Sequence, residues 1–196
     1  MRAWFAVLAA AIALGAAAPA RASEASELQV KVRAALRSAK SFVATATINP
    51  SVPAPNGGTV IYTYVAPNRF RQTVHGLPGG DDTIIIGNKV YGNDSNDNGG
   101  WDVQTWSDHL VNSFEGDLLD FTILSVGAES TASTGTFVMA DSHGEKKTDT
   151  LQCTYDIATS RPRTCITGYV TLSFARYDDP TVTIPTPAHA KVVDPR

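Results

Sequence analysis

From Phe42 onward the chain keeps returning to one pattern. Short runs of β-branched and aromatic residues with a period near two are each closed by Gly, Pro, Asn or Asp. Runs of this kind, one after another, predict a sheet of many strands joined by turns. They fall at residues 42–49, 59–66, 70–75, 83–86, 89–91, 101–106, 121–126, 135–140, 151–157 and 164–174. Residues 182–185 read as a last edge strand that Pro185 stops. Pro50, Pro53, Pro55 and Gly57-Gly58 mark a loop that no regular element could contain.

Two segments have a helical period instead. In residues 26–40, Leu28, Val32, Ala35, Leu36 and Ala39 recur at helical spacing, and Ser26 with Gln29 has the form of a capping box. Ser107 is placed to cap a second helix reaching about Leu119. Strands in such long succession favour an antiparallel meander, one face of which helices can cover. A sheet of that length twists and curls. Helices laid across its hollow would enclose an apolar cavity suited to a hydrophobic ligand.

The first 22 residues read as a cleavable signal peptide. Arg2 supplies positive charge, residues 5–18 are apolar or small and uncharged, and Ala20-Arg21-Ala22 has the small-x-small form of a cleavage site. The apolar run is shorter than the ~20 residues a membrane-spanning helix needs. Residues 23–196 are then expected to form a single exported domain, periplasmic or secreted and soluble after cleavage, with no integral membrane span. Loss of Arg2 and Arg21 leaves 14 basic against 19 acidic side chains, a net charge of −5. A chain of that sign lacks the basic footprint of a nucleic-acid binder.

Export puts Cys153 and Cys165 in an oxidising compartment. The flanking runs read as a hairpin turning at Thr159-Ser160-Arg161-Pro162. If the cysteines face each other across it, Thr159 is the midpoint of a loop of three or five residues, and a disulfide follows. Neither the spacing nor the number of thiols suits a redox or zinc motif.

Catalytic and metal signals are weak. His75, His109, His143 and His189 show no ligand spacing, and no nucleophile elbow is present. Ser107-Asp108-His109 is better explained as a helix start than as a triad. Asp81-Asp82 and Asp178-Asp179 read as solvated strand ends. The loop from Asp94 to Gly99 has the first half of a calcium loop, but Thr105 stands where the bidentate Glu should be, so a hairpin turn is the better reading. No enzyme, metal or cofactor is predicted.

Four stretches, in order, resemble a known family. Tyr62 to Arg71 resembles its strand-Pro-x-x-Phe-Arg crossing. Ile84 to Tyr91, followed by a Gly-rich loop and Gly100-Trp101, is similar to its central hairpin. Tyr155 to Pro162 resembles its Asp-x-x-Thr hairpin, and Tyr177 to Pro187 its terminal strand. Together they are similar to the LolA/LolB and LppX/LprG-like lipoprotein-carrier fold family, over about residues 25–188. The resemblance implies an α+β fold: a strongly curved antiparallel half-barrel of about eleven strands with helices covering the concave face. It also implies binding of lipid acyl chains.

The chain lacks a Gly after Thr159 and the anchor Cys of the lipidated branches. Candidate cavity residues are Tyr62, Tyr64, Phe70, Ile84, Ile86, Tyr91, Trp101, Trp106, Phe114 and Leu118. The expected function is a carrier or binding protein for a lipid-like hydrophobic ligand. The alternative is the same fold with a filled core, acting as a sensor or interaction protein on an envelope partner.

Overall fold

The computed structural model describes residues 17–50, 57–77, 82–93, 100–106, 121–128, 131–140 and 150–193, with only the backbone of 17–22. Helix α1 spans Ala17–Ser38. It starts nine residues before the expected Ser26, because the Ala-rich stretch ahead of Ser26 is itself a good helix former. Pro19 falls in the first turn, where its missing N–H has no helical partner to lose. Ser26 is therefore an exposed mid-helix residue rather than a cap. Ala25, Leu28, Val32 and Leu36 form the buried stripe, with Ala39 just beyond the helix end.

Strands β1 (Ser41–Ile48), β2 (Gly58–Val65), β3 (Arg69–His75), β4 (Asp82–Ile86), β5 (Lys89–Asn93) and β6 (Asp102–Thr105) form one meander. Strands β7 (Thr122–Val126), β8 (Thr134–Ala140), β9 (Thr150–Asp156), β10 (Pro162–Ile166) and β11 (Val170–Ala175) form a second, and β12 (Lys191–Val192) comes last. The sheet order is β12-β6-β5-β4-β3-β2-β1-β11-β10-β9-β8-β7. The second meander therefore runs inward from the far edge until β11 pairs with β1, making β1 the strand where the two halves meet. All pairings are antiparallel except the short β12–β6 contact. The sheet is open, with β12 and β7 at its edges.

Two expectations change. Residues 164–174 form two strands, because Thr167, Gly168 and Tyr169 turn the chain: the Thr167 hydroxyl accepts from the N–H groups of Tyr169 and Val170. Residues 182–185 form no strand, since Pro180, Pro185 and Pro187 cannot donate to a ladder. The last strand is Lys191–Val192 instead. One helix lies within the described residues; the expected helix near 107–119 and most of the loop after Pro50 lie outside them.

Two cores result, one on each face of the sheet. On the first face, α1 packs its stripe against Phe42 and Ala44 of β1, Phe121 and Ile123 at β7, Phe137 of β8, and Cys153 and Cys165. On the opposite face, Ile84, Tyr91 and Val103 pack against Ile184 of the terminal segment. Arg69 fastens that segment by donating from Nη1 to the Ile184 carbonyl at 2.8 Å.

Candidate ligand-binding face

Side chains alternate between faces along a strand, so register assigns each residue to a face. Phe42 stands opposite Tyr64, Tyr64 opposite Phe70, and Phe70 opposite Ile85. Phe42, Tyr64, Tyr62 and Phe70 therefore share the helix face. Their rings form two stacked pairs, Phe42–Tyr64 at 5.2 Å between centroids and Tyr62–Phe70 at 5.9 Å. Each pair is near-parallel, a favourable offset geometry for aromatic rings. Phe42 and Phe70 are buried, and Tyr62 and Tyr64 half-buried. Burial raises the Tyr62 hydroxyl above its ordinary pKa, so it stays neutral at physiological pH.

The remaining candidates divide. Ile84 pairs with Tyr91, and Tyr91 with Val103, on the opposite face. Ile86 and Trp101 pack against the same cluster. These four were predicted to line one cavity with Tyr62, but the intervening sheet separates them from it, and residues of the terminal segment cover them. The helix face of β4 and β5 instead carries Ile85 and Val90, which face each other and are half-buried. Trp106 is 42% exposed just beyond β6. Phe114 and Leu118 lie outside the described residues.

The disulfide forms as expected. Cys153 and Cys165 are register partners in β9 and β10 and are bonded, with the five residues 157–161 between the strands. The bond sits in the core beneath α1.

A feature missed in the sequence lies at the end of that hairpin. Asp178 and Asp179 are partnered rather than merely solvated. Asp178 accepts from the Lys40 backbone N–H at 2.7 Å and pairs with Arg161. Asp179 accepts from the Thr181 hydroxyl and backbone N–H and pairs with Arg176. These bonds hold Asp178 below the usual carboxylate range, the Lys40 N–H leading, and bring Asp179 down to about 2, the Thr181 hydroxyl leading.

Tyr177 donates to the Pro162 carbonyl at 3.0 Å beneath the Arg161 guanidinium, and burial pushes its pKa up. An open pocket of about 460 Å³ adjoins this knot, lined in part by Asp156, Arg161, Arg163 and Tyr177. Both arginines are already paired with carboxylates. The adjacent acids in 177–181 were a visible signal; the partners of Asp179, Arg176 and Thr181, are local, but those of Asp178, Lys40 and Arg161, are far away in sequence.

Arg71 pairs with Asp82 at 2.6 Å, as a strand neighbour should, whereas Arg69 serves the terminal segment. Among the described residues no group of three His, Cys, Asp or Glu could hold a metal, and no helix is long and apolar enough to cross a membrane. Residues 94–99, Ser107-Asp108-His109 and His143 lie outside the described residues.

The fold is thus an open antiparallel sheet with a helix on one face and an extended terminal segment on the other. No family model matches the sequence, and no curated protein matches it. Among solved structures the chain is similar to LprF from Mycobacterium bovis, at 12% identity and a TM-score of 0.48, over 86% of this chain and 99% of that one. It is also similar to the lipoprotein LppX from Mycobacterium tuberculosis, at 12% identity and a TM-score of 0.47, over 80% of this chain and 98% of that one.

Proposed function

We propose that the chain is an exported carrier or binding protein for a lipid, acyl chain or other hydrophobic ligand, held on the helix face of β2–β5. The observation that carries this reading is the aromatic row on one sheet face. Tyr62, Tyr64 and Phe70, continued by Ile85 and Val90, extend away from the part of the face where α1 packs along β7. Half-buried tyrosine rings offer flat apolar contact and no charge. An acyl chain laid on them gains roughly 0.8 kcal/mol for each CH₂ removed from water. Among the described residues no cation belongs to the row, which favours apolar bulk rather than a head group as the recognised feature.

One observation favours the filled-core alternative, an interaction protein on an envelope partner. Under α1 the face is closely filled, with Val32 fully buried and Phe42 and Ala44 each 1% exposed. That confines any ligand to β2–β5. Native mass spectrometry of protein isolated from the cell envelope, followed by lipid extraction, separates the two readings. A bound apolar mass released by organic solvent is expected. Protein that carries no lipid and binds no fluorescent long-chain fatty acid would leave the interaction reading.

A further inference from the structure

Register draws a single line across one end of the first meander. Ser41 stands opposite Val65, Val65 opposite Arg69, Arg69 opposite Ile86, Ile86 opposite Lys89, and Lys89 opposite Thr105. Beyond that line lie the last turn of α1, the turns at 66–68 and 87–88, and Trp106. Two hydrogen bonds tie them together. The Ala66 N–H donates to the Lys40 carbonyl at 2.8 Å, and the Trp106 N–H donates to the Asn88 carbonyl at 2.9 Å.

This end carries cations and an indole. Arg37, Lys40 and Lys89 are exposed, and Trp106 is 42% exposed. Among the described residues no acid belongs to these turns. Two acids reach the line from the terminal segment, and both have other partners. Asp178 accepts from the Lys40 backbone N–H but pairs with Arg161, and Asp179, whose carbonyl accepts from the Ser41 hydroxyl, pairs with Arg176. Positive charge therefore gathers at this end of a chain with more acids than bases. The apolar row begins one residue inward, since Tyr64, Phe70, Ile85 and Val90 adjoin Val65, Arg69, Ile86 and Lys89.

We infer that this end docks on an anionic lipid surface. Arg37, Lys40 and Lys89 complement the lipid phosphates, and Trp106, apolar with one N–H, suits the head-group boundary. The inference rests on the carrier reading and deepens it. A docked edge brings the apolar row within one residue of the bilayer, so an acyl chain can pass to it without crossing the filled core under α1.

Co-sedimentation of the purified protein with lipid vesicles tests this. Binding is expected to vesicles of phosphatidylcholine mixed with phosphatidylglycerol, and not to phosphatidylcholine alone, and raised salt should weaken it. Lys89→Gln and Arg37→Gln should each weaken binding roughly fivefold, and the triple variant Arg37→Gln/Lys40→Gln/Lys89→Gln roughly a hundredfold. Trp106→Ser should weaken it without a change of charge. Lys191→Gln, an exposed cation on β12, should leave it unchanged. If the triple variant fails to fold, the single variants carry the test. Titration of a fluorescent long-chain fatty acid without vesicles separates this inference from the carrier reading. A protein that docks but binds no fatty acid keeps the docking surface and loses the carrier role. A protein that binds fatty acid but ignores the mixed vesicles, or one weakened as much by Lys191→Gln as by Lys89→Gln, would overturn the inference.

Discussion

Phe70 and Ile84 lie on neighbouring strands and belong to opposite faces of one sheet: Phe70 stands opposite Ile85, which turns Ile84 toward the terminal segment. The two residues therefore answer differently to substitution. Tyr62→Glu, on the Phe70 face, is expected to reduce binding of a fluorescent long-chain fatty acid by roughly tenfold or more, since a carboxylate would be desolvated by the chain. Ile84→Ala, on the other face, should cost about 3 kcal/mol of stability through the cavity it leaves. Its affinity per folded molecule should be unchanged. Urea unfolding and a fluorescence titration on both variants give the comparison, and equal losses of affinity would contradict the assignment of the ligand to the helix face.

The disulfide should contribute about 3 kcal/mol, the figure expected for closing a loop of its length. Replacing both Cys153 and Cys165 by Ala is expected to lower the urea midpoint accordingly. Because the bond lies beneath α1, native protein should resist mild reductant that readily reduces the unfolded chain. Peptide mapping without reduction should recover the two cysteines linked.

Acid should weaken the knot around Tyr177. Asp178 and Asp179 are both held below the usual carboxylate range in the folded protein, Asp179 at about 2 against 3.8. A carboxylate with a depressed folded pKa stabilises the native state above its unfolded pKa, and that contribution disappears as pH falls through the folded one. Stability is thus expected to be level near neutrality and to decline from about pH 4 toward pH 2. Asp179→Asn should flatten part of that decline in a series of thermal melts. An unchanged acid limb would show that the Asp179 contacts do not contribute.

Gly135 lies against the Tyr155 ring, its partner across the β8–β9 pair, and a methyl group there would run into the ring. Gly135→Ala should therefore destabilise the protein by about 1–3 kcal/mol, the usual cost of overpacking. Gly92, whose added methyl group would meet nothing, provides the control. Chemical unfolding of the two variants side by side measures the difference.

The mature chain is expected to begin at Ser23, which N-terminal sequencing of envelope protein would check. The cut would fall inside α1 yet before Ala25, the first core residue among the described side chains of the helix. Removing six further residues would take Ala25 and Leu28 as well, and should destabilise the protein measurably where the cut at Ser23 does not.

Most strands could be read along the chain because their signals are local. Period-two runs between Gly, Pro and Asn place β2 to β6 and β7 to β9 within a residue or two, and the hairpin around Thr159 predicts the Cys153–Cys165 bond. Both depend on neighbours a few residues apart. The face a residue occupies is a different kind of fact. Ile84, Ile85 and Ile86 are chemically alike and adjacent, and their alternation has no origin until β3 and β5 set the register.

The same holds for residues 181–190, where Pro185 and Pro187 disfavour a ladder strand but say nothing about which apolar patch the segment will cover. It holds also for Gln29, which looks like part of a helix cap until the fold brings the edge of β7 against α1, 94 residues along the chain. Local backbone preference is written in a few successive side chains. Contacts between distant segments depend on which buried arrangement of the whole sheet is lowest in free energy, and no short stretch of this chain carries that information.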